Sequence, residues 1–200
     1  MTHKQKVCGA KSSTEQGFTL IETMIAIAIM SIGILTLIAA FASAVTATQS
    51  AQEDLIARQK ALEAVESIYT ARNTQQISFS QIANISNGGI FTGGATQLLY
   101  AGPDGLVNTA DDATFAASTP CPAGPECIVL PGPDGVLGTA DDLPMSLANF
   151  TRTVLISNVL NSDGSINPNL KQVTVTVTYT RIGNATPRSY TVNTLISAFR

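Results

Sequence analysis

The chain has a polar leader, then one long apolar run, and then shorter patterns of mixed polarity. From Phe18 to Val45 the only charged side chain is that of Glu22. As a helix, this run would be about 42 Å long at about 1.5 Å per residue, which exceeds a hydrocarbon thickness of about 30 Å. We therefore predict a membrane-spanning helix over 18–45. The alternative, a buried core helix, seldom stays apolar on every face over such a length.

Helical spacing continues beyond the apolar run. No proline occurs before Pro103, and no glycine follows Gly33 until Gly88, so we predict one helix over residues 18–72. In its second half, residues 46–72, apolar side chains recur at heptad-like spacing and are expected to pack on a globular head. The residues of this stripe are Leu55, Leu62, Val65 and Tyr69.

Strand-like patterns occupy the C-terminal part of the chain, at 151–160, 172–181 and 189–199, with turn-rich sequences between them. The middle segment alternates strictly between an apolar and a threonine face, which suits a sheet with one buried side. The apolar residues are Val173, Val175, Val177 and Tyr179. We predict an α+β fold in which the long helix packs on an antiparallel sheet formed by 151–200.

The loop-rich segment between helix and sheet, 73–150, contains an internal repeat. GPDGLVNTADD at 102–112 and GPDGVLGTADD at 132–142 are identical at 8 of 11 positions. Each copy gathers three aspartates: Asp104, Asp111 and Asp112 in the first, and Asp134, Asp141 and Asp142 in the second. Ca²⁺ accepts about six to eight oxygen ligands in flexible geometry, so these loops are a candidate calcium site and the only cofactor site that we predict. The alternative is a pair of Pro-Asp-Gly turns with solvated acids.

Charges that flank the apolar run predict its orientation. Lys4, Lys6 and Lys11 precede it, whereas Glu53 and Asp54 are the first charges after it. By the positive-inside rule, the N-terminal side stays in the cytoplasm and the remainder of the chain is exported.

The stretch Gly17-Phe18-Thr19-Leu20-Ile21-Glu22, after a basic leader and before an apolar helix, resembles the class III signal of type IV pilins and type II secretion pseudopilins. The resemblance implies that prepilin peptidase removes the leader 1–17 between Gly17 and Phe18 and methylates the new amine. It also implies the pilin fold, assembly with other pilin subunits and an assembly platform, and a single-pass inner-membrane protein with a periplasmic head. After assembly, the protein would be part of a pilus at the cell surface.

Glu22 is the one acid within the predicted span. Holding a carboxylate in hydrocarbon costs about 2.5 to 3.5 kcal/mol, so this residue calls for a partner. The resemblance implies that Glu22 pairs with the amine of Phe18 of an adjacent subunit during assembly. The alternative is a glutamate that merely reaches the membrane interface.

Two cysteines remain once the leader, which carries His3 and Cys8, is removed. In an oxidising periplasm we expect Cys121 and Cys127 to form a disulfide, because two thiolates without further ligands make a poor zinc site. The mature chain would hold no histidine, so imidazole chemistry is excluded and we do not predict an enzyme.

Three functions follow from these features. The stretch SIGILTLIAAF resembles PilV-type minor pilins, which favours a minor pilin; the alternatives are a type II secretion pseudopilin and a calcium-dependent adhesive tip pilin. Without 1–17 the chain has 8 Lys+Arg and 13 Asp+Glu, a net charge of −5, which argues against nucleic acid as a partner. We interpret four cations of the predicted sheet region as a solvated face: Arg152, Lys171, Arg181 and Arg188.

Overall fold

The computed structural model describes residues 17–114, 116, 120–180 and 186–199. The predicted leader residues 1–16 and the predicted strand residue Arg181 lie outside the described residues. By its internal contacts the chain divides into two compact units, with the boundary between Thr48 and Gln49. The described part of the first unit holds the N-terminal part of a helix, and the second unit holds every strand that the structure describes.

Helix α1 spans Leu20–Asn73, so the predicted long helix is confirmed. Its C-terminal end follows from backbone geometry rather than from a glycine. Gln75 takes a left-handed backbone conformation with φ 65°, and the N–H of Gln76 donates to the carbonyl of Ala71 at 2.9 Å. This bond satisfies a carbonyl of the last turn and ends the helix.

The face of α1 that packs on the sheet differs from the predicted one. Leu55 is 64% exposed and Leu62 is 42% exposed, so the prediction that these leucines pack on the head was wrong. Val65 and Tyr69 are half-buried against the core. The buried apolar face instead consists of Ile56, Ala57, Ala61, Ala64, Ile68 and Ala71. Alanine ends at Cβ, so this face lets the helix backbone approach its neighbours closely, whereas leucine at the same positions would overfill a dense core.

The described strands are, in chain order, β1 (Thr96–Gln97), β2 (Cys127–Leu130), β3 (Leu143–Ser146), β4 (Phe150–Leu160), β5 (Ile166–Thr180) and β6 (Pro187–Ser197). Four of them form an antiparallel sheet in the order β1-β4-β5-β6, and β2 pairs with β3 in a separate hairpin. The apolar face of β5, predicted from its alternation, is buried as expected. The predicted α+β fold, a long helix packed on an antiparallel sheet, is confirmed.

β5 begins well before the predicted start at residue 172. Only residues 161–165 form the turn, which is closed by the N–H of Asn161 donating to Ser165 O at 2.8 Å. Leu160 pairs with Ile166 after a register shift that follows Asn158. Pro168 lies in the irregular stretch beyond this pair, where no ladder bond to β4 requires its missing N–H. The turn-rich composition therefore predicted a longer loop between β4 and β5 than the structure contains.

The segment between α1 and β4 contributes to the core of the head. It contains two short 3-10 helices, Phe79–Gln81 and Ile85–Asn87, as well as β1 and the β2–β3 hairpin. β1 joins the sheet through the pairs Thr96↔Arg152 and Gln97↔Thr151. Five described side chains of the segment are at most 1% exposed: Ile82, Phe91, Leu98, Leu106 and Leu147. The loop-rich segment is thus built into the same core as the sheet.

Charged side chains meet inside the head, where α1, the hairpin and β4 come together. Lys60 donates hydrogen bonds to Glu126 and, at 2.7 Å, to Glu63, and both Lys60 and Glu126 are buried. Burial alone would lower the pKa of Lys60, but its hydrogen bonds to the two carboxylates outweigh burial and raise that pKa. Arg152 is fully buried, and its Nε donates to Asn108 Oδ1 at 2.6 Å.

The interpretation of the four cations as a solvated face was wrong for Arg152. This residue alternates with the half-exposed Thr151 and Thr153 on β4, so its side chain faces the core. Lys171 is half-buried and donates to backbone carbonyls, among them Ile82 O at 2.7 Å. Arg188 is exposed, as expected, and lies 3.5 Å from a carboxylate of α1.

We expect Glu126→Gln to destabilise the head by about 3–5 kcal/mol, because Lys60 and Arg152 would stay buried without this counter-charge. Glu63→Gln is the matched control: it makes the same change at the second partner of Lys60, whose side chain is 42% exposed. For this control we expect a loss below about 1 kcal/mol. Denaturant unfolding of the full chain in detergent micelles measures both losses. Equal losses would contradict a dominant role for the buried pair.

Candidate functional site

Helix α1 begins directly after Thr19, within the predicted processing signal. The N–H groups of Glu22 and Thr23 donate to the carbonyl of Thr19 at 3.1 and 3.2 Å, and Glu22 N lies 3.3 Å from Thr19 Oγ1. Thr19 therefore caps the helix, a position that threonine often takes. Gly17 and Phe18 precede the helix in exposed, non-helical backbone. The peptide bond between them is thus accessible.

Glu22 lies in the first turn of α1, where a carboxylate interacts favourably with the helix dipole. Its side chain is exposed, and no residue that the structure describes forms a hydrogen bond or ion pair with its carboxylate. Large apolar side chains, including those of Ile21 and Ile25, are exposed around it. Among the described residues of the first unit, Glu22 is thus the one carboxylate, and it lies in an apolar surface without a partner from that part of the chain.

Residues 20–48 of the first unit form an apolar helix whose side chains are exposed. An 18-residue window of α1 reaches a mean hydropathy of 2.6, and none of it is buried. Hydroxyl groups along it bond to their own helix; for example, Ser31 donates to Ile27 O and Thr36 to Gly33 O, both at 2.8 Å. Such self-satisfied hydroxyls avoid the cost of an unpaired polar group in hydrocarbon. By length and composition, this helix suits a membrane.

The first aspartate repeat, 102–112, is a tight loop that its own carboxylates hold together. The carboxylate of Asp104 accepts a hydrogen bond from the backbone N–H of Leu106 at 2.8 Å. That of Asp112 accepts one from the backbone N–H of Asn108 at 2.7 Å. The hydroxyl of Thr109 donates to Asp111 at 2.7 Å and to Asp112 at 3.0 Å. The bond from Thr109 lowers the pKa of Asp111, while burial raises that of Asp112.

The second repeat, 132–142, has the same set of backbone bonds. Asp134 and Asp142 accept N–H groups at 2.8 and 2.7 Å, and Thr139 donates to Asp141 at 2.6 Å. The bond from Thr139 lowers the pKa of Asp141. One difference concerns Asp142: its Oδ1 is buried and accepts no hydrogen bond from any residue that the structure describes.

Glycine is required at two places in each repeat. Gly105 and Gly135 have φ of 68° and 71°, the left-handed region that other residues avoid. A Cβ at Gly102 would lie 2.2 Å from Oδ2 of Asp111, and a Cβ at Gly132 would lie 2.3 Å from Oδ2 of Asp141. The GPDG and ADD parts of each repeat therefore pack against each other, which explains why these letters are common to both copies.

The structure contains the disulfide that the sequence predicted, between Cys121 and Cys127, whose Cα atoms are 5.9 Å apart. Cys127 is also the first residue of β2 and pairs with Ser146 of β3. The bond therefore fixes the base of the hairpin that carries the second repeat.

Calcium binding stays a prediction. Among the described residues, no group of three or more His, Cys, Asp or Glu side chains is placed to hold a metal ion. The predicted aspartates accept N–H or hydroxyl bonds within their own loops, and the one buried carboxylate oxygen that has no hydrogen-bond partner among the described residues is Oδ1 of Asp142. The loops thus have a structural role as turns that does not depend on an ion.

A family model described as the prokaryotic N-terminal methylation motif matches residues 12–40. The chain carries a class III prepilin signal. The match covers the end of the predicted leader and α1 up to residue 40, and it does not include the head. No curated protein and no solved structure matches the chain.

The prepilin signal indicates a type IV pilin-like or pseudopilin protein that prepilin peptidase processes. It implies assembly with other pilins and indicates a structural protein rather than an enzyme. Together with the apolar helix, it suggests that the chain is anchored in a membrane.

Sequence reasoning missed the buried charge cluster of the head. Lys60 and Glu126 are 66 residues apart in the chain, and no local pattern connects them. Arg152 offered a weak signal, because its position in a strand with alternating burial places it on the same side as Val154 and Ile156.

Proposed function

We propose that this chain is a minor subunit of a type IV pilus, inserted into the fibre through α1. The observation that carries the proposal is Glu22, a carboxylate in the first turn of an exposed apolar helix that has no partner among the residues the structure describes. In a helix that serves only as a membrane anchor, such a charge would be unfavourable, because holding it in hydrocarbon costs about 2.5–3.5 kcal/mol. In a subunit that packs against other helices, the same charge can pair with a cation of a neighbouring helix.

Cleavage between Gly17 and Phe18 supplies the partner, because it creates an amine at Phe18 that is cationic even when methylated. In the proposed fibre, the amine of one subunit pairs with Glu22 of the adjacent subunit. The desolvation penalty offsets much of the attraction of such a pair, so its main effect is to set the register between helices. Peptidase action therefore switches the chain from anchored precursor to assembly-competent subunit.

The minor-pilin assignment is preferred to a pseudopilin of a type II secretion system because SIGILTLIAAF, which follows the signal, resembles PilV-type minor pilins. In either case the head lies in the periplasm before assembly. A deletion strain separates the two: loss of surface pili with normal secretion supports the pilus, and the opposite result supports the pseudopilin.

The first test of this function is the N-terminus of the membrane-extracted protein. In cells with prepilin peptidase we expect the chain to begin at methylated Phe18, and in cells without the peptidase we expect the leader to be retained. Intact mass and N-terminal sequencing distinguish the two forms. A leader retained in both strains would refute the proposed processing.

The second test separates processing from assembly. We expect Glu22→Gln to be processed normally but to reduce the subunit in sheared pili by about tenfold or more, which corresponds to losing about 1.4 kcal/mol of pairing. Glu15→Gln is the matched control, since it makes the same change in the leader that is removed. Quantitative immunoblots of pilus and membrane fractions provide the measurement. Normal incorporation of the Glu22 variant would refute the pairing.

We propose, as a second property, that the repeat at 132–142 binds Ca²⁺, consistent with a calcium-dependent adhesive tip. The observation in favour is Oδ1 of Asp142, a buried oxygen without a hydrogen-bond partner among the described residues. A buried acceptor left unpaired is costly, and a hard cation would satisfy it.

Calcium at about 100 times its dissociation constant would add about 2.7 kcal/mol of stability. For a chain of this size we therefore expect Ca²⁺ to raise Tm by about 5 °C or more. Asp142→Asn should abolish the shift, and Asp163→Asn, in an exposed turn of the β4–β5 connection, should retain it. Thermal unfolding with Ca²⁺ and with chelator measures these shifts. Equal Tm values for the parent chain in both conditions would refute calcium binding.

A further inference from the structure

The second repeat forms the tip of the β2–β3 hairpin. The two strands pair from Cys127↔Ser146 to Leu130↔Leu143, and residues 131–142 connect them. The disulfide fixes the base of this hairpin, and the loop has its own internal bonds. The tip therefore has a defined conformation before it meets any partner, which lowers the entropic cost of binding.

The two repeats place equivalent residues in equivalent positions. The bonds made by Asp104 and Asp134 have the same length, 2.8 Å, as do those made by Asp112 and Asp142, 2.7 Å. In each loop an apolar pair follows the Gly that bends the chain. This pair is Leu106 and Val107 in the first repeat, and Val136 and Leu137 in the second.

The burial of these two pairs is opposite. Leu106 and Val107 are 1% and 4% exposed and belong to the core, whereas Val136 and Leu137 are 54% and 62% exposed. The first repeat thus shows that a loop of this kind can bury its apolar pair in a core of the same chain. The second repeat has a valine and a leucine at the equivalent positions, in the reverse order, and exposes both to solvent.

The charge of the tip indicates which kind of protein surface it can bind. The tip carries Asp134, Asp141 and Asp142, and residues 121–151 contain no lysine or arginine. The site that receives the first repeat includes a cation, Arg152, whose positive charge favours the ionised form of Asp112, the residue that corresponds to Asp142. A second copy of this chain is a poor partner, because its formal net charge is −3.

We propose that the hairpin tip docks on a different protein by inserting Val136 and Leu137 into a shallow apolar pocket edged by lysine or arginine. Apolar contact would supply the affinity, and the aspartates would select a basic rim. This inference goes beyond the proposed function, since it concerns the partner of the head and applies equally to a pilus or a secretion fibre. The N-terminal processing assay distinguishes its failure from a failure of the prepilin assignment.

The test uses a photoreactive residue, p-benzoyl-phenylalanine, at position 137 of the full chain in its native cells. The matched control carries the same residue at position 195, because Leu195 is 54% exposed on the open face of the sheet. We expect a light-dependent adduct with one different protein from position 137 and none from position 195. Mass spectrometry identifies the crosslinked site, which should contain apolar residues beside lysine or arginine.

Two further variants complete the test. Reversing the basic residues of the identified site to glutamate should reduce the adduct about tenfold or more, equivalent to about 1.4 kcal/mol. Val136→Ser, which leaves the photoreactive residue in place, should reduce it as well without lowering Tm, because Val136 is exposed. An adduct with another copy of this chain, an adduct insensitive to the reversal, equal adducts from both positions, or no adduct would each overturn the proposal.

Discussion

The packing of the alanine face of α1 into the core that it shares with β5 governs the arrangement of the head. Ala57, Ala61 and Ala64 have no exposed surface, and the valines of β5 are equally buried. These side chains belong to one densely packed core, which tolerates little change in volume. Lys60 lies within the same face, so its ammonium group must be paired inside the protein.

The pairing of Lys60 with Glu126 connects helix α1 to the β2–β3 hairpin. Glu126, the partner of Lys60, directly precedes Cys127. Its backbone N–H donates to the carbonyl of Leu98 at 2.8 Å, and its carbonyl accepts from the N–H of Leu147 at 2.9 Å. A buried pair adds little net stability but strongly penalises arrangements in which either charge is left alone. The hairpin is thus held at its base by the disulfide, by backbone bonds and by one ion pair, and its tip presents a defined loop to solvent.

The two compact units differ in where their apolar and polar side chains lie. The second unit has a buried apolar core, although some of its apolar side chains, such as Val136 and Leu137, are exposed. In the described part of the first unit, apolar side chains are exposed and hydroxyls bond to their own helix, which suits hydrocarbon or a layer of similar helices. Glu22 is the one charged side chain among residues 17–48, the described part of the first unit, and for this reason the proposed function depends on it more than on any acid of the head.

The sequence by itself determined the features that depend on local periodicity and chemistry. These include α1, the alternation of β5, the prepilin signal, and the repeat loops, whose glycines and aspartates interact within eleven residues. Only the tertiary structure decided which face of α1 is buried, why Arg152 lies inside, and which of two near-identical repeats enters the core. Burial depends on contacts between distant segments such as those of Lys60 and Glu126, and no local pattern encodes them.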